Sequence, residues 1–145
     1  MNNKKMTSMQ RVLTALSHKE PDRVPFFLFV TLHGAKELNL SIKEYFSRAE
    51  NVATGQVKMR KRFRHDCLSN FFYAPIETEA WGGEVIFIED GPPNSGQPII
   101  RSPKDIKKIN PPRPIGTACL EKVLKATRML KEEAGDEVPI IGVVM

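Results

Sequence analysis

Three side chains stand where this sequence could place chemistry: His33, Asn70 and Tyr73. His33 follows the apolar run "VPFFLFV", residues 24–30. An imidazole there could take or give a proton near neutral pH. Asn70 and Tyr73 lie at the end of a second apolar run, residues 66–72. A carboxamide and a phenol offer hydrogen bonds but no charge near pH 7. Each also has a plainer role, as a polar loop residue, a strand-end cap or a satisfied buried hydroxyl. No residue is assigned as catalytic. Cys67 and Cys119 lack CxxC spacing, and neither sits at metal-ligand spacing from a histidine. Both read as packing residues, so neither a disulfide nor a metal site is expected within the chain. His18 and His65 follow helical segments and read as cap or surface groups. The stretch "GPPNSG", residues 91–96, lacks the Lys-Ser/Thr ending of a phosphate loop.

The elements that must position these groups follow from pattern. Thr7 or Ser8 caps a helix to about residue 18, with Met9, Val12, Leu13 and Leu16 on one face. Pro21 and Pro25 stop it. Residues 24–30 are uniformly apolar, as in a strand buried on both faces. "TLHGAKELNL" reads as a loop, Ser41 caps "IKEYF", and a longer helix covers about residues 48–64. In that helix Val52, Met59 and Phe63 face inward beside Gln56. Residues 66–72 form the second strand. Trp81 packs beneath a β-hairpin insertion at about residues 84–100, in which "GPPNSG" is a long turn and "QPIIRSP" the return strand. Ser102 and Pro103 open a short helix. Residues 117–134 form an amphipathic helix ended by Gly135, and "VPIIGVVM" is a third apolar strand.

Three apolar strands separated by helices imply right-handed crossovers and a parallel sheet. The expected class is α/β. It would be the N-terminal part of a TIM (β/α)8 barrel, with three parallel strands, crossover helices and a hairpin. The 145 residues form one partial domain, with an N-terminal helix at 7–18 and the first barrel strands and helices over 24–145. A whole barrel needs about 250 residues. The alternative is an open three-stranded α/β domain. In a barrel, the C-terminal strand ends carry the site, which is what singles out His33, Asn70 and Tyr73.

At 41% hydrophobic and 27% charged residues, the composition excludes a disordered chain. No apolar run approaches the ~20 residues of a membrane span. The N-terminus "MNNKKMTSMQ" has no apolar segment behind its lysines, so a cytoplasmic location is expected. The net charge is +5, and the dense cluster is "KMRKRFRH", residues 58–65. It reads as the solvated C-terminal end of a helix, where cations suit the dipole. Its alternative is a phosphate-binding surface on a basic nucleic-acid-binding α/β module.

The segment "TSMQRVLTALSHKEPDRVPF" resembles the start of the uroporphyrinogen decarboxylase superfamily, with its "R…AL…PDRVP" pattern. "DCLSNFFYAPIETEAWGGEVIFIEDGPPNSGQPI" is similar to its second strand, "EA.G.EV.F" step and hairpin, and "VPIIGVVM" to its third strand. The resemblance covers nearly the whole chain but only the first part of a family member. It implies one of two branches. A decarboxylase of porphyrin biosynthesis carries an arginine-rich "RQAGRY" loop that grips substrate carboxylates, and an "FSD" aspartate at the second strand end. Here the matching loop, "VTLHGAKE", has no arginine, Lys36 is its only fixed cation, and Tyr73 takes the aspartate's place. "ETEAWGGEV" is closer to the corrinoid-dependent methyltransferases. That branch implies methyl transfer from a methylated corrinoid, carried by a partner protein, to a thiol such as coenzyme M. It implies a zinc ion held by a His-x-Cys motif and a further Cys on later strands, a region that this sequence does not contain. The chain alone is therefore expected to be inactive and to self-associate through an exposed strand edge.

Overall fold

The computed structural model describes residues 5–143. Helix α1, Ser8–Leu16, begins in a capping box: the Thr7 hydroxyl accepts the Gln10 N–H, and the Gln10 side chain accepts the Thr7 N–H. Its one buried residue is Arg11. Of the predicted apolar face, Met9 and Val12 are half-buried but Leu13 and Leu16 are exposed, so the helix is seated largely by the charge of Arg11.

Residues 24–30 correct the three-strand expectation. They are extended but form no ladder. Pro25 has no N–H to give, and the Phe26 N–H goes to the Asp66 side chain (2.8 Å) instead of a neighbouring carbonyl. One backbone bond remains, from Asp66 N–H to Phe26 O at 2.6 Å. The rings of Phe29 and Phe71 meet at 5.4 Å, so the contacts advance along both segments in the same direction. Val24, Phe26 and Phe29 are exposed, which corrects the expectation of burial on both faces.

Two parallel strands do pair. β1, Leu68–Ser69, lies beside β4, Ile140–Ile141, with Leu68 opposite Ile140 and Ser69 opposite Ile141. The crossover between them includes α6, Ala118–Ala134, which packs with α4, Ala49–Phe63. Ala53 of α4, Leu68, Leu130 of α6 and Val138 form the core beneath the pair. A larger cluster joins Tyr45 and Phe46 of α3, Ile42–Ser47, to Val52, Phe72, Tyr73 and Ala126. Ser41 caps α3 through a box with Glu44. Phe63, expected inside, is 37% exposed.

The expected loop at 31–40 contains a helix, α2, His33–Leu38, ended by Asn39 in the left-handed region. α2 lies hard against α4: a methyl group built on Gly55 would stand 3.1 Å from the Gly34 Cα of α2 and 2.7 Å from the Tyr45 ring of α3. This close approach explains a glycine in mid-helix, where it otherwise weakens the helix. α5, Ile76–Ala80, precedes a hairpin of β2, Val85–Ile86, and β3, Asn94–Ser95. The two strands are antiparallel, Val85 opposite Ser95. The return strand thus falls inside the expected turn. Residues 97–102, including exposed Ile99 and Ile100, run on without pairing. Pro98 lacks the N–H that a ladder there needs. A 3-10 helix, Pro103–Lys108, follows.

Candidate functional site

The two ends of β1 carry different chemistry. At its C-terminal end, Asn70 clasps three elements. Its backbone N–H reaches Ile141 O (3.3 Å), its Oδ1 accepts the Val143 N–H (3.3 Å), and its Nδ2 donates to Thr127 Oγ1 on α6 (3.2 Å). The Thr127 hydroxyl donates in turn to Val123 O. Asn70 therefore holds the ends of the two parallel strands level. It is part-buried, and its amide is engaged at both ends.

Tyr73 is turned into the core. It is buried between the rings of Phe46 (5.2 Å) and Phe87 (5.5 Å), and its hydroxyl donates to Glu79 Oε2. Burial, reinforced by Glu79, pushes the phenol well above the ordinary tyrosine range. Cys119 lies close by and donates to Ile76 O at 3.7 Å. Burial and Glu79 raise this thiol, and burial and Asp66 raise that of Cys67. Neither is tuned toward thiolate.

His33 opens α2. Its Nε2 lies 3.1 Å from Glu37 Oε1, and its ring meets Phe63 edge-on at 5.5 Å. Arg62 binds the same carboxylate at 2.6 Å. Asn70 and Tyr73 thus leave one loop in different directions, one to the strand ends and one to the core. No hydrogen bond or ring contact joins His33 to either among the described residues.

At the N-terminal end of β1 stands a network that the sequence reading missed. Asp66 is completely buried. It accepts Arg11 Nη1 at 2.7 Å, Arg23 Nη1 and Nη2 at 2.8 Å, Ser8 Oγ at 3.0 Å and the Phe26 N–H at 2.8 Å. Arg11 also binds Asp22 through Nε (2.6 Å) and Nη2 (2.8 Å). Burial pushes the Asp66 carboxyl up, but the Phe26 N–H, Arg23, Ser8 and Arg11 outweigh it and hold it below the ordinary range. Arg11, Asp22 and Arg23 all belong to the "R…AL…PDRVP" stretch. That stretch was the available signal, and its polar residues anchor α1 to the start of β1.

The basic cluster at 58–65 is divided among several partners. Arg62 turns to Glu37 and stacks on Phe63, Lys61 pairs with Glu133 (3.2 Å), and Met59 and His65 are buried. Among the described residues no three His, Cys, Asp or Glu side chains come together to hold a metal ion. The zinc that the methyltransferase resemblance implies has no ligand set among these residues. No helix of the described residues is long and apolar enough to cross a membrane.

The fold is similar to that of a methyltransferase from Methanosarcina mazei, with a TM-score of 0.79 at 20% identity. The match covers 94% of this chain and 42% of that one, so this chain spans less than half the length of its structural relative. At that identity the likeness is one of fold. No curated protein matches the chain. The model of the uroporphyrinogen decarboxylase (URO-D) family matches residues 7–145, which takes in the anchoring arginines, both parallel strands and the hairpin. The chain belongs to the uroporphyrinogen decarboxylase (URO-D) family.

Proposed function

We propose that this chain forms the first part of a (β/α) barrel of the methyltransferase-like branch of its family. The activity of such a barrel is transfer of a methyl group from a methylated corrinoid, presented by a partner protein, to a thiol such as coenzyme M. Tyr73 carries the reading. Where the decarboxylase motif has an aspartate, this chain has a phenol, buried and bonded to Glu79. It offers no negative charge to a cationic pyrrole intermediate. The loop at 30–37 agrees, since it has no arginine and its Glu37 is held by Arg62. A polycarboxylate needs planar bidentate donors there.

The zinc that activates the thiol in this branch would have to be bound by residues other than those described. The chain alone is therefore expected to bind without turnover. Its exposed Val24, Phe26 and Phe29 and the open edges of the two-stranded sheet favour self-association.

Equilibrium dialysis against methylcobalamin and against a polycarboxylate porphyrin tests the branch. The corrinoid should be retained and the porphyrin should not. Retention of the porphyrin, or release of carbon dioxide from uroporphyrinogen, would assign the decarboxylase branch and overturn this reading.

A further inference from the structure

A pocket of about 580 Å3 opens at the N-terminal end of β1, where α1 begins and α4 ends. That volume lies within the range of small-ligand sites, roughly 300–1,000 Å3. Its walls are strongly cationic, and the charges divide into two kinds. Arg11 and Arg23 are neutralised by Asp22 and Asp66, and Lys61 turns to Glu133. Lys5, Arg60 and Arg64 line the same pocket and have no ion-pair partner among the described residues. Two carboxylates line it as well: Asp66, already taken up by Arg11 and Arg23, and Glu137.

Arg60 is the most telling. Its Nε is buried without a hydrogen-bond partner, and its Nη2 makes only a 3.4 Å contact with Ser8 Oγ. A buried guanidinium N–H left unmatched is costly unless something accepts from it. Arg64 is held at the pocket by its backbone: it caps α4 in the left-handed region, with φ of 54°. Thr7 and Ser8 add the start of α1; its Thr7, Met9 and Gln10 N–H groups already donate to Gln10, Glu137 and Thr7, so this end contributes the helix dipole and not free donors.

We propose that this pocket binds the phosphoryl group of a small phosphorylated molecule, with Arg60 and Arg64 as its principal donors and Lys5 closing over it. Guanidinium pairs suit phosphate oxygens in a way that a lone ammonium does not. A compact anion fits better than a polynucleotide. Glu133 and Glu137 lie together near the end of α6, with Lys61 on Glu133, and the carboxylate of Glu137 at the rim would oppose an extended polyanion more than a compact one. The site lies at the opposite end of β1 from Asn70, so it is independent of the methyl-transfer reading.

Calorimetric titration of the chain with inorganic pyrophosphate tests this. One saturable site is expected, and Arg60→Gln or Arg64→Asn should each weaken it about tenfold or more. Asparagine is chosen because it tolerates the left-handed backbone. Lys104→Gln, an exposed cation on the 3-10 helix, should leave affinity unchanged. If Arg60→Gln fails to melt cooperatively, Lys5→Gln, outside any element, gives the same test on an intact fold. The proposal is overturned if pyrophosphate shows no saturable binding, or if the pocket variants bind like the parent. It is equally overturned if Lys104→Gln loses as much as they do, or if a short oligonucleotide binds more tightly than pyrophosphate.

Discussion

Arg11 and Asp66, 55 residues apart in the chain, meet at 2.7 Å with side chains only 4% and 1% exposed. Beyond this pair α1 is held by the Ser8 hydroxyl on Asp66, the Met9 N–H on Glu137 O and half-buried Met9 and Val12, while Leu13 and Leu16 face out. Removing one partner of a buried pair leaves an uncompensated charge and costs about 3–5 kcal/mol. Arg23 grips the same carboxylate but is 48% exposed, and such pairs contribute about 0–1 kcal/mol. Asp66→Ala should therefore cost several times more than Arg23→Met in urea unfolding. Equal costs would show that Asp66 is solvated and that α1 is held by other contacts.

The same network sets the acid limit of the fold. Arg11's hydrogen bond holds the Asp22 carboxyl down at about 2, with burial opposing and the Met6 N–H assisting. Asp66 is also held below the ordinary range. Unfolded aspartates titrate near 3.9. The folded values are the lower ones, so the unfolded state takes up protons first as pH falls. The stabilisation is complete above about pH 4 and is lost toward pH 2. Circular dichroism at a series of pH values should show Asp22→Asn with a lower neutral plateau and a flatter slope in that window. A variant parallel to the parent would mean that Asp22 is not linked to folding.

His65 adds a second, milder slope. It is 1% exposed, and neither ring nitrogen makes a well-formed hydrogen bond, the Cys67 backbone offering at most a poorly aligned one. Burial pushes the imidazole below its usual value; the Cys67 backbone opposes this, the charge of Arg60 adds to it, and Asp66 opposes it. The folded value is below the unfolded one, near 6.5. Stability is therefore complete above about pH 6.5 and declines as pH falls through it. Because at most a poorly formed hydrogen bond to the Cys67 backbone is lost, His65→Phe should cost little at pH 8 and remove the slope between about pH 6.5 and 5. A large loss at pH 8 would show that the ring nitrogens are satisfied.

Features resting on near neighbours were legible in the sequence, and those resting on distant ones were not. The caps at Thr7, Ser41 and Ser102 each depend on a residue three positions on. The pairing of β1 with β4 follows from two apolar runs joined by a helix. Residues 24–30 misled because apolar content reports affinity for a core, whereas a strand also needs free N–H groups and a partner. Pro25 and the Asp66 side chain remove that ladder. The return strand of the hairpin slipped for a similar reason at Pro98. For Tyr73 the position was readable but not the direction. Nothing in "FFYAPIETEA" says that the phenol turns inward to a glutamate six residues later. Asp66 was hidden because its partners lie 40 to 58 residues upstream.

Tyr73 and Tyr45 are the two tyrosines of the chain, and both are buried. Burial pushes both phenols above the ordinary range; Glu79 reinforces this for Tyr73, and Gln56 opposes it for Tyr45. In the unfolded chain both titrate near 10. The folded protein should therefore show no phenolate absorbance through about pH 10, and phenolate should appear together with unfolding. The sign is opposite to that of the carboxylates: the unfolded state loses its protons first, so stability falls as pH rises past 10. Tyr73→Phe removes the hydrogen bond to Glu79 and should cost about 1.5–3 kcal/mol. It also removes one of the two phenols from the alkaline transition. Phenolate titrating near 10 in the native parent but not in Tyr73→Phe would place Tyr73 in contact with solvent, and only the arginine-free loop would then speak against a decarboxylase.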